Sequence, residues 1–277
     1  MIIMETITII TVLKDDLVGF ERTLNSIKCQ ESQGFEYLVI DGSRRDIAIK
    51  VQELTKSIAH SSYFFRQPSG IYDAMNFGIN RASGRYLLFL NAGDVLVSST
   101  TISDLLSKCN KFPDIDIFAH SVVYYTPQNF VYSVKDPSVQ DKKYALFHHQ
   151  GVLMKRGLLD LLNGFNLKLK LAADGELLDR AIKLGKVKID AQIIVAFDMT
   201  GTSSSRYWDL LKEIDSYRTP PSLREKLLLT FKNWLRSILI SSKLLPPVLR
   251  HSYLEHRELK VCKENPELRQ GKFDLLD

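Results

Sequence analysis

The strongest constraint on this chain is the regular alternation of short apolar runs with segments of helical period over its first ninety residues. The runs at 6–12 (TITIITV), 35–40, 63–66 and 86–90 have strand length and are rich in β-branched or aromatic residues. Between them, Leu17, Phe20, Leu24 and Ile27 recur at helical spacing, as do Ile49, Leu54 and Ile58, and then residues 71–82. Asp46 stands where it would cap the second of these helices, and Ser83-Gly84 stops the third. The run at 86–90 is apolar without interruption, which suits a strand covered on both faces. The order β-α-β-α-β-α-β predicts an α/β fold, a mostly parallel open sheet flanked by helices.

Beyond residue 94 the pattern loosens. It predicts a helix near 99–109, a strand at 116–125, a loop around Pro127 and Pro137, a helix at 174–184 and a strand at 187–197. A polar stretch, Gly201-Thr202-Ser203-Ser204-Ser205, then separates a domain at 1–205 from a helical extension at 206–277. The extension differs in charge. Residues 218–260 hold nine Lys or Arg against three Glu, leaving 28 basic and 29 acidic residues in the rest of a chain whose net charge is +5. Within 223–245, Leu227, Leu228, Phe231, Trp234, Leu235, Ile238 and Leu239 form one helical stripe, with Arg224, Lys226, Lys232 and Arg236 away from it. Such a helix either lies in a membrane interface or docks on the preceding domain, since both uses demand the same stripe.

Three widely spaced cysteines, Cys29, Cys109 and Cys262, form neither a disulfide framework nor a metal-ligand pattern. The N-terminal run has no cationic leader or small-residue cleavage site, and no stretch is long enough for a membrane span. The expectation is a cytoplasmic protein, peripheral on the inner face of the plasma membrane.

In an open parallel sheet, ligands bind beyond the carboxyl ends of the strands. Those ends here carry Asp41, Arg66-Gln67, and Asn91 with Asp94. No glycine-rich dinucleotide or triphosphate loop follows the first strand, where Val12-Leu13-Lys14-Asp15-Asp16 stands instead.

The blocks Asp41-Gly42-Ser43, Gly70-Ile71-Tyr72-Asp73-Ala74-Met75-Asn76-x-Gly78-Ile79 and Ala82-Ser83-Gly84-x-Tyr86-Leu87-x-Phe89-Leu90-Asn91-Ala92-Gly93-Asp94 resemble family 2 glycosyltransferases. With His149-Gln150 and Ala172-Ala173-Asp174, the likeness is to the bacterial branch acting in colanic acid, capsule and O-antigen assembly. It covers roughly residues 6–205 and implies a GT-A-type fold. It also implies an inverting transfer of a hexosyl or N-acetylhexosaminyl group from a nucleotide-sugar, a UDP-sugar by expectation. The implied acceptor is an undecaprenyl-diphosphate-linked saccharide.

By the same resemblance, Asp94 holds a divalent cation, Mn²⁺ or Mg²⁺, that neutralises the departing diphosphate. The family's first acidic position is Asn91 here, which coordinates without bringing charge. Asp41 matches the position that reads the nucleotide base, with Thr11 and Leu13 lining its pocket and Arg66 in the same donor-binding set. Gly70 and Asp73 sit where ribose and sugar pass, while Asn76 is either a contact or an internal brace. Asp174 is the implied base. Its small apolar neighbours would raise its pKa, and a helix N-terminus would lower it. His149 is a candidate acceptor or phosphate contact, with a structural role as the alternative.

Two other classes remain open at this stage. A sugar-phosphate nucleotidyltransferase would need a glycine-rich basic loop near the first strand, and none is present. A non-enzymatic basic membrane-associated adaptor rests on the extension alone. Nucleic acid is not an expected partner, because the basic residues are not spread over the folded domain.

Overall fold

The computed structural model describes residues 6–67, 69–125, 131–135, 148–198 and 207–217. The stripe at 223–245, the basic segment around it and the polar stretch at 201–205 lie outside these residues.

The first half alternates as expected: β1 (Ile7–Leu13), α1 (Leu17–Lys28), β2 (Phe35–Asp41), α2 (Arg45–Thr55), β3 (Ser61–Phe65), α3 (Ile71–Arg81) and β4 (Tyr86–Phe89). There follow β5 (Val95–Leu96), α4 (Thr101–Lys111), β6 (Ile117–Tyr125), β7 (Val131–Lys135), a 3-10 turn at His149–Gly151 and β8 (Val152–Lys155). Then come α5 (Arg156–Leu161), α6 (Ala173–Leu184), β9 (Val187–Asp198) and α7 (Tyr207–Tyr217).

All nine strands join one sheet in the order β3-β2-β1-β4-β8-β6-β9-β5, with β7 paired to β6. Strands β1 to β4 are mutually parallel, and β6 is parallel to β9. β8 runs antiparallel to both β4 and β6, and β5 antiparallel to β9. Because β8 reverses direction twice over, β6 and β9 end at the same sheet edge as β1 to β4. The antiparallel β8 and β5 begin there. That edge therefore collects the residues after six parallel strands, before two antiparallel ones, and at the start of the helices between.

Alternation along each strand divides the core into two layers. Ile7 and Ile9 pack with Phe20, Leu24, Ile27, Val51, Ile102 and Leu105 on one face. Ile10 and Val12 pack with Met75, Ile79, Leu158, Leu177 and Leu178 on the other. Each fully buried Leu, Ile or Phe contributes about 1.5–3 kcal/mol against chain entropy. Gly78 lets α3 approach β1, since a Cβ there would stand 2.7 Å from Ile10 Cγ2.

Several elements differ from expectation. β3 starts at Ser61 because Ser61 and Ser62 pair with Tyr37 and Leu38, a register set by β2 rather than by hydrophobicity. Asp46 is not the cap of α2. Arg44 occupies that position and Asp46 lies in the first turn, where its charge still favours the helix dipole. β7 lies in the expected loop, and β5, β8 and α5 have two, four and six residues, too short for a periodic signal. The segment after 205 opens with α7, whose Tyr217 packs against the second core layer.

Candidate active site

The turn after β4 is built from Asn91 to Asp94, with Asp94 N–H donating to Asn91 O at 3.0 Å. Gly93 takes φ +99°, a conformation costly for other residues, and a Cβ there would meet Asp198 Oδ2 at 2.9 Å. Thr23 on α1 pins the turn, its hydroxyl lying 3.2 Å from Asn91 O and 2.8 Å from Asp94 O.

Asp94 itself is buried. Its Oδ1 accepts from Asp198 N–H at 3.0 Å and its Oδ2 from Asn91 N–H at 3.2 Å. Burial pushes this carboxyl up to about 7, against the pull of the Asp198 N–H, the His149 ring and the Gln150 side chain, while the Asp198 charge adds to the rise. Asp198, at the end of β9, is held by Arg22 at 2.7 Å.

Asp174 is in the opposite condition. It lies in the first turn of α6, whose cap position is Ala172 rather than Asp174. Tyr72 of α3 donates its hydroxyl to Oδ1 at 3.0 Å, and His149 Nδ1 meets Oδ2 at 2.9 Å. Burial alone would raise this carboxyl. The His149 hydrogen bond and charge, the Gly175 N–H and His148 outweigh it and hold the group at about 2. Asp174 is thus an anion with 30% of its side chain exposed, and its charge together with burial pushes the Tyr72 hydroxyl far up. Because Nδ1 of His149 faces an acceptor, it carries a proton, while Nε2 is buried without a hydrogen-bond partner among the described residues.

The remaining residues of the expected site form the edge beside these. Leu13, Asp41 and Phe65 are aligned across β1, β2 and β3, and Arg66 follows at once. Asp41 is fully buried, its Oδ1 accepting from Ser43 N–H at 2.8 Å and its Oδ2 from the Tyr63 hydroxyl at 3.0 Å. Thr11 is also fully buried and donates to Leu90 O at 2.7 Å, and Leu13 packs into the core, so both support the edge from beneath. Arg66 and Asp73 form a two-point ion pair at 2.8 and 3.0 Å, with the guanidinium 4.9 Å from the Phe77 ring. Asp73 therefore engages a protein cation where the sequence suggests a sugar contact. Gly70 takes φ +125° at the start of α3, with open space where a Cβ would be. Asn76 is the brace: its amide gives Phe165 O a hydrogen bond at 2.9 Å and takes one from Phe165 N–H at 2.8 Å.

The donor set around Asp94 fits a hard divalent cation. Asn91 Oδ1 is buried without a hydrogen-bond partner among the described residues, beside a buried carboxylate and near a second one, Asp198. Among the described residues no three His, Cys, Asp or Glu side chains converge into a closed cage. Magnesium-type sites are commonly completed by substrate phosphates instead.

Sequence reasoning missed Tyr63, Tyr72, Arg22 and Asp198. Tyr72 lies within the recognised block, and Asp198 is an acid at a strand's carboxyl end, the same signal that marked Asp41. Arg22 has no local signal, because its partner is 176 residues away.

With this geometry in view, comparison with known proteins gives three concordant findings. The sequence model of glycosyl transferase family 2 matches residues 8–161. An uncharacterized glycosyltransferase of Mycobacterium tuberculosis is 27% identical over 228 residues, covering 78% of this chain and 86% of that protein. A PGL/p-HBAD biosynthesis glycosyltransferase of Mycobacterium bovis is 27% identical over 157 residues, covering 54% and 59%. Among solved structures, Staphylococcus aureus TarS 1-349 in complex with UDP aligns with TM-score 0.59 at 15% identity, over 98% of this chain and 89% of that one. A mannosyltransferase from Pyrobaculum calidifontis, in complex with GDP-Man and Mn²⁺, aligns with TM-score 0.57 at 16% identity, over 98% and 84%. The fold is of the GT-A type.

Proposed function

This chain belongs to glycosyl transferase family 2, and on that premise we propose that it is a metal-dependent, inverting transferase using a UDP-sugar donor. The carrying observation is the pair of carboxylates at one sheet edge: Asp94 buried and proton-retaining, Asp174 ionised and partly open. A transfer between two oxygens needs both, one to seat a counter-charge for the leaving diphosphate and one to accept a proton.

Asp94, with the Asn91 amide oxygen, would hold the divalent cation, and Asp198 stands close enough to strengthen the field. When bound, that cation offsets the negative charge gathering on the departing diphosphate. Asp41 is the acceptor for the ring N–H of uracil, held in place by Tyr63 and the Ser43 amide. Asp174 accepts the proton of the acceptor hydroxyl as that oxygen bonds to the anomeric carbon and the bond to diphosphate breaks, so configuration inverts. Tyr72 and His149 hold its carboxylate still for that step. One solved structure of like fold is in complex with UDP and another with GDP-Man and Mn²⁺, which supports a nucleotide-sugar donor and a metal for this chain.

The acceptor in this reading is a lipid-diphosphate-linked saccharide of bacterial surface-polysaccharide synthesis, such as an O-antigen or capsule. Residues 223–245 would bring the enzyme to the inner membrane surface, where each Lys or Arg near anionic lipid adds about 1 kcal/mol. Among the described residues, no helix is long and apolar enough to cross a membrane.

The test is a thermal-shift screen of UDP- and GDP-sugars with and without Mn²⁺, followed by donor hydrolysis. One UDP-sugar should stabilise the protein only with metal and then be cleaved. UDP and manganese bound away from Asp94 in a crystal soak would overturn the reading.

A further inference from the structure

α6 begins without a side-chain cap of its own, although its first turn carries Asp174. The N–H groups of the segment leading into it are instead gathered by a single carboxylate from α7. Glu213 Oε2 accepts from Leu171 N–H at 2.8 Å and from Ala172 N–H at 3.0 Å, and both its oxygens lie 3.0 Å from Lys170 N. One helical turn further along α7, Tyr217 reaches α6 itself: a Cβ on Gly175 would stand 3.1 Å from its hydroxyl. Glu213 and Tyr217, four residues apart on one face of α7, thus grip the chain on both sides of Asp174.

We propose that Glu213 is a positioning residue for Asp174, so that α7, which lies beyond the matched family segment, completes the catalytic geometry. The assignment rests on the reading of Asp174 as the proton acceptor. Charge-assisted bonds to three successive amides are strong and directional, and they fix the backbone from which Asp174 departs two residues later. The Asp174 carboxylate must meet Tyr72 from one side and His149 from the other. A rigid approach to α6 satisfies both bonds at once, whereas a loose one lets the carboxylate leave them. Misplacement of a reacting group by about 1 Å costs about 10²-fold in rate.

The test uses the full chain with isotope-labelled histidine, the His149 ring resonances among its six histidines being assigned with a His149→Gln control. In the wild type, His149 should show a proton on Nδ1 held in a hydrogen bond. Glu213→Ala should shift or broaden that resonance and lower hydrolysis of the selected UDP-sugar about 10²-fold, with UDP affinity unchanged. Glu213→Gln, which keeps one acceptor oxygen, should preserve more of both signals. An unchanged His149 resonance or unchanged turnover in Glu213→Ala overturns the proposal, and so does a matching loss of UDP affinity. Should Glu213→Ala fail to fold, Glu213→Gln decides: a partial shift of the His149 resonance with turnover lowered in step supports the assignment, and a resonance and turnover identical to wild type overturn it. If the wild type neither binds nor hydrolyses any UDP-sugar, the UDP-sugar reading fails while the resonance still reports on Glu213.

Discussion

Asp94 and Asp174 share one sheet edge but hold their protons in opposite ways, and pH separates them. An unfolded aspartate titrates near 3.9, whereas folded Asp94 titrates at about 7. Between those values the folded chain keeps a proton that the unfolded chain has lost, so the Asp94 contribution to stability falls as pH rises from about 4 to about 7. A cation competes with that proton, so stabilisation by Mn²⁺ should grow over the same window. Asp94→Asn imitates the protonated form at every pH. The melting temperature of the metal-free wild type, relative to this variant, should therefore decline from pH 4 to 8, by roughly 2–4 °C per kcal/mol. The variant should also lose its response to Mn²⁺, and a flat difference would refute the assignment. Asp174 runs the other way: held at about 2, its stabilising contribution is fully present above pH 4 and lost as pH falls through 2. Asp174→Asn should bind UDP normally and transfer sugar at least about 10²-fold more slowly, measured by product formation at saturating donor. A loss of UDP affinity instead would move Asp174 into the donor site. Both carboxylates were legible as motif residues. Their protonation was not, because for Asp94 it is set by burial under elements distant in sequence, and for Asp174 by a contact with His149, 25 positions away.

α3 shows what a local pattern contains and what it omits. Its apolar period and the glycine that lets it approach β1 are local facts, and they fix its place on the sheet. Its polar residues take their roles from elements met only in space. Asn76 exchanges two hydrogen bonds with Phe165, beside Gly164 at φ +63°, and so ties α3 to the loop after α5. Asn76→Ala leaves the Phe165 N–H and C=O without their partner, a cost of about 1–3 kcal/mol. Chemical denaturation should show that loss while UDP affinity stays at the wild-type value. A selective fall in affinity would make Asn76 a donor contact after all. Strands β1, β2 and β4 were readable as apolar runs set between helices of clear period, and β3 only in part, since Ser61 and Ser62 give it no apolar start. The insertion of β8 between β4 and β6 was not, since four residues carry no period and pairing direction has no local signature.

The sheet's double reversal at β8 gathers Asp41, Asp94, His149 and Asp198 at one edge, and α7 then clamps the last piece, the start of α6. On the proposed reading, the chain after residue 205 has two jobs that a pair of truncations can separate. A protein ending at residue 221 keeps Glu213 and Tyr217 but loses the basic stripe at 223–245. It should fold, bind UDP and hydrolyse donor like the full chain, yet no longer sediment with anionic liposomes. A protein ending at residue 205 also loses the carboxylate that gathers the amides of residues 170–172. It should melt at lower temperature and lose turnover by about 10²-fold even in solution, where no membrane is involved. If the longer truncation product is itself insoluble or unfolded, the stripe is a docked core element and the membrane must be reached by another surface. If both products behave alike, α7 adds nothing to the site, because the two differ chiefly in whether that helix is present.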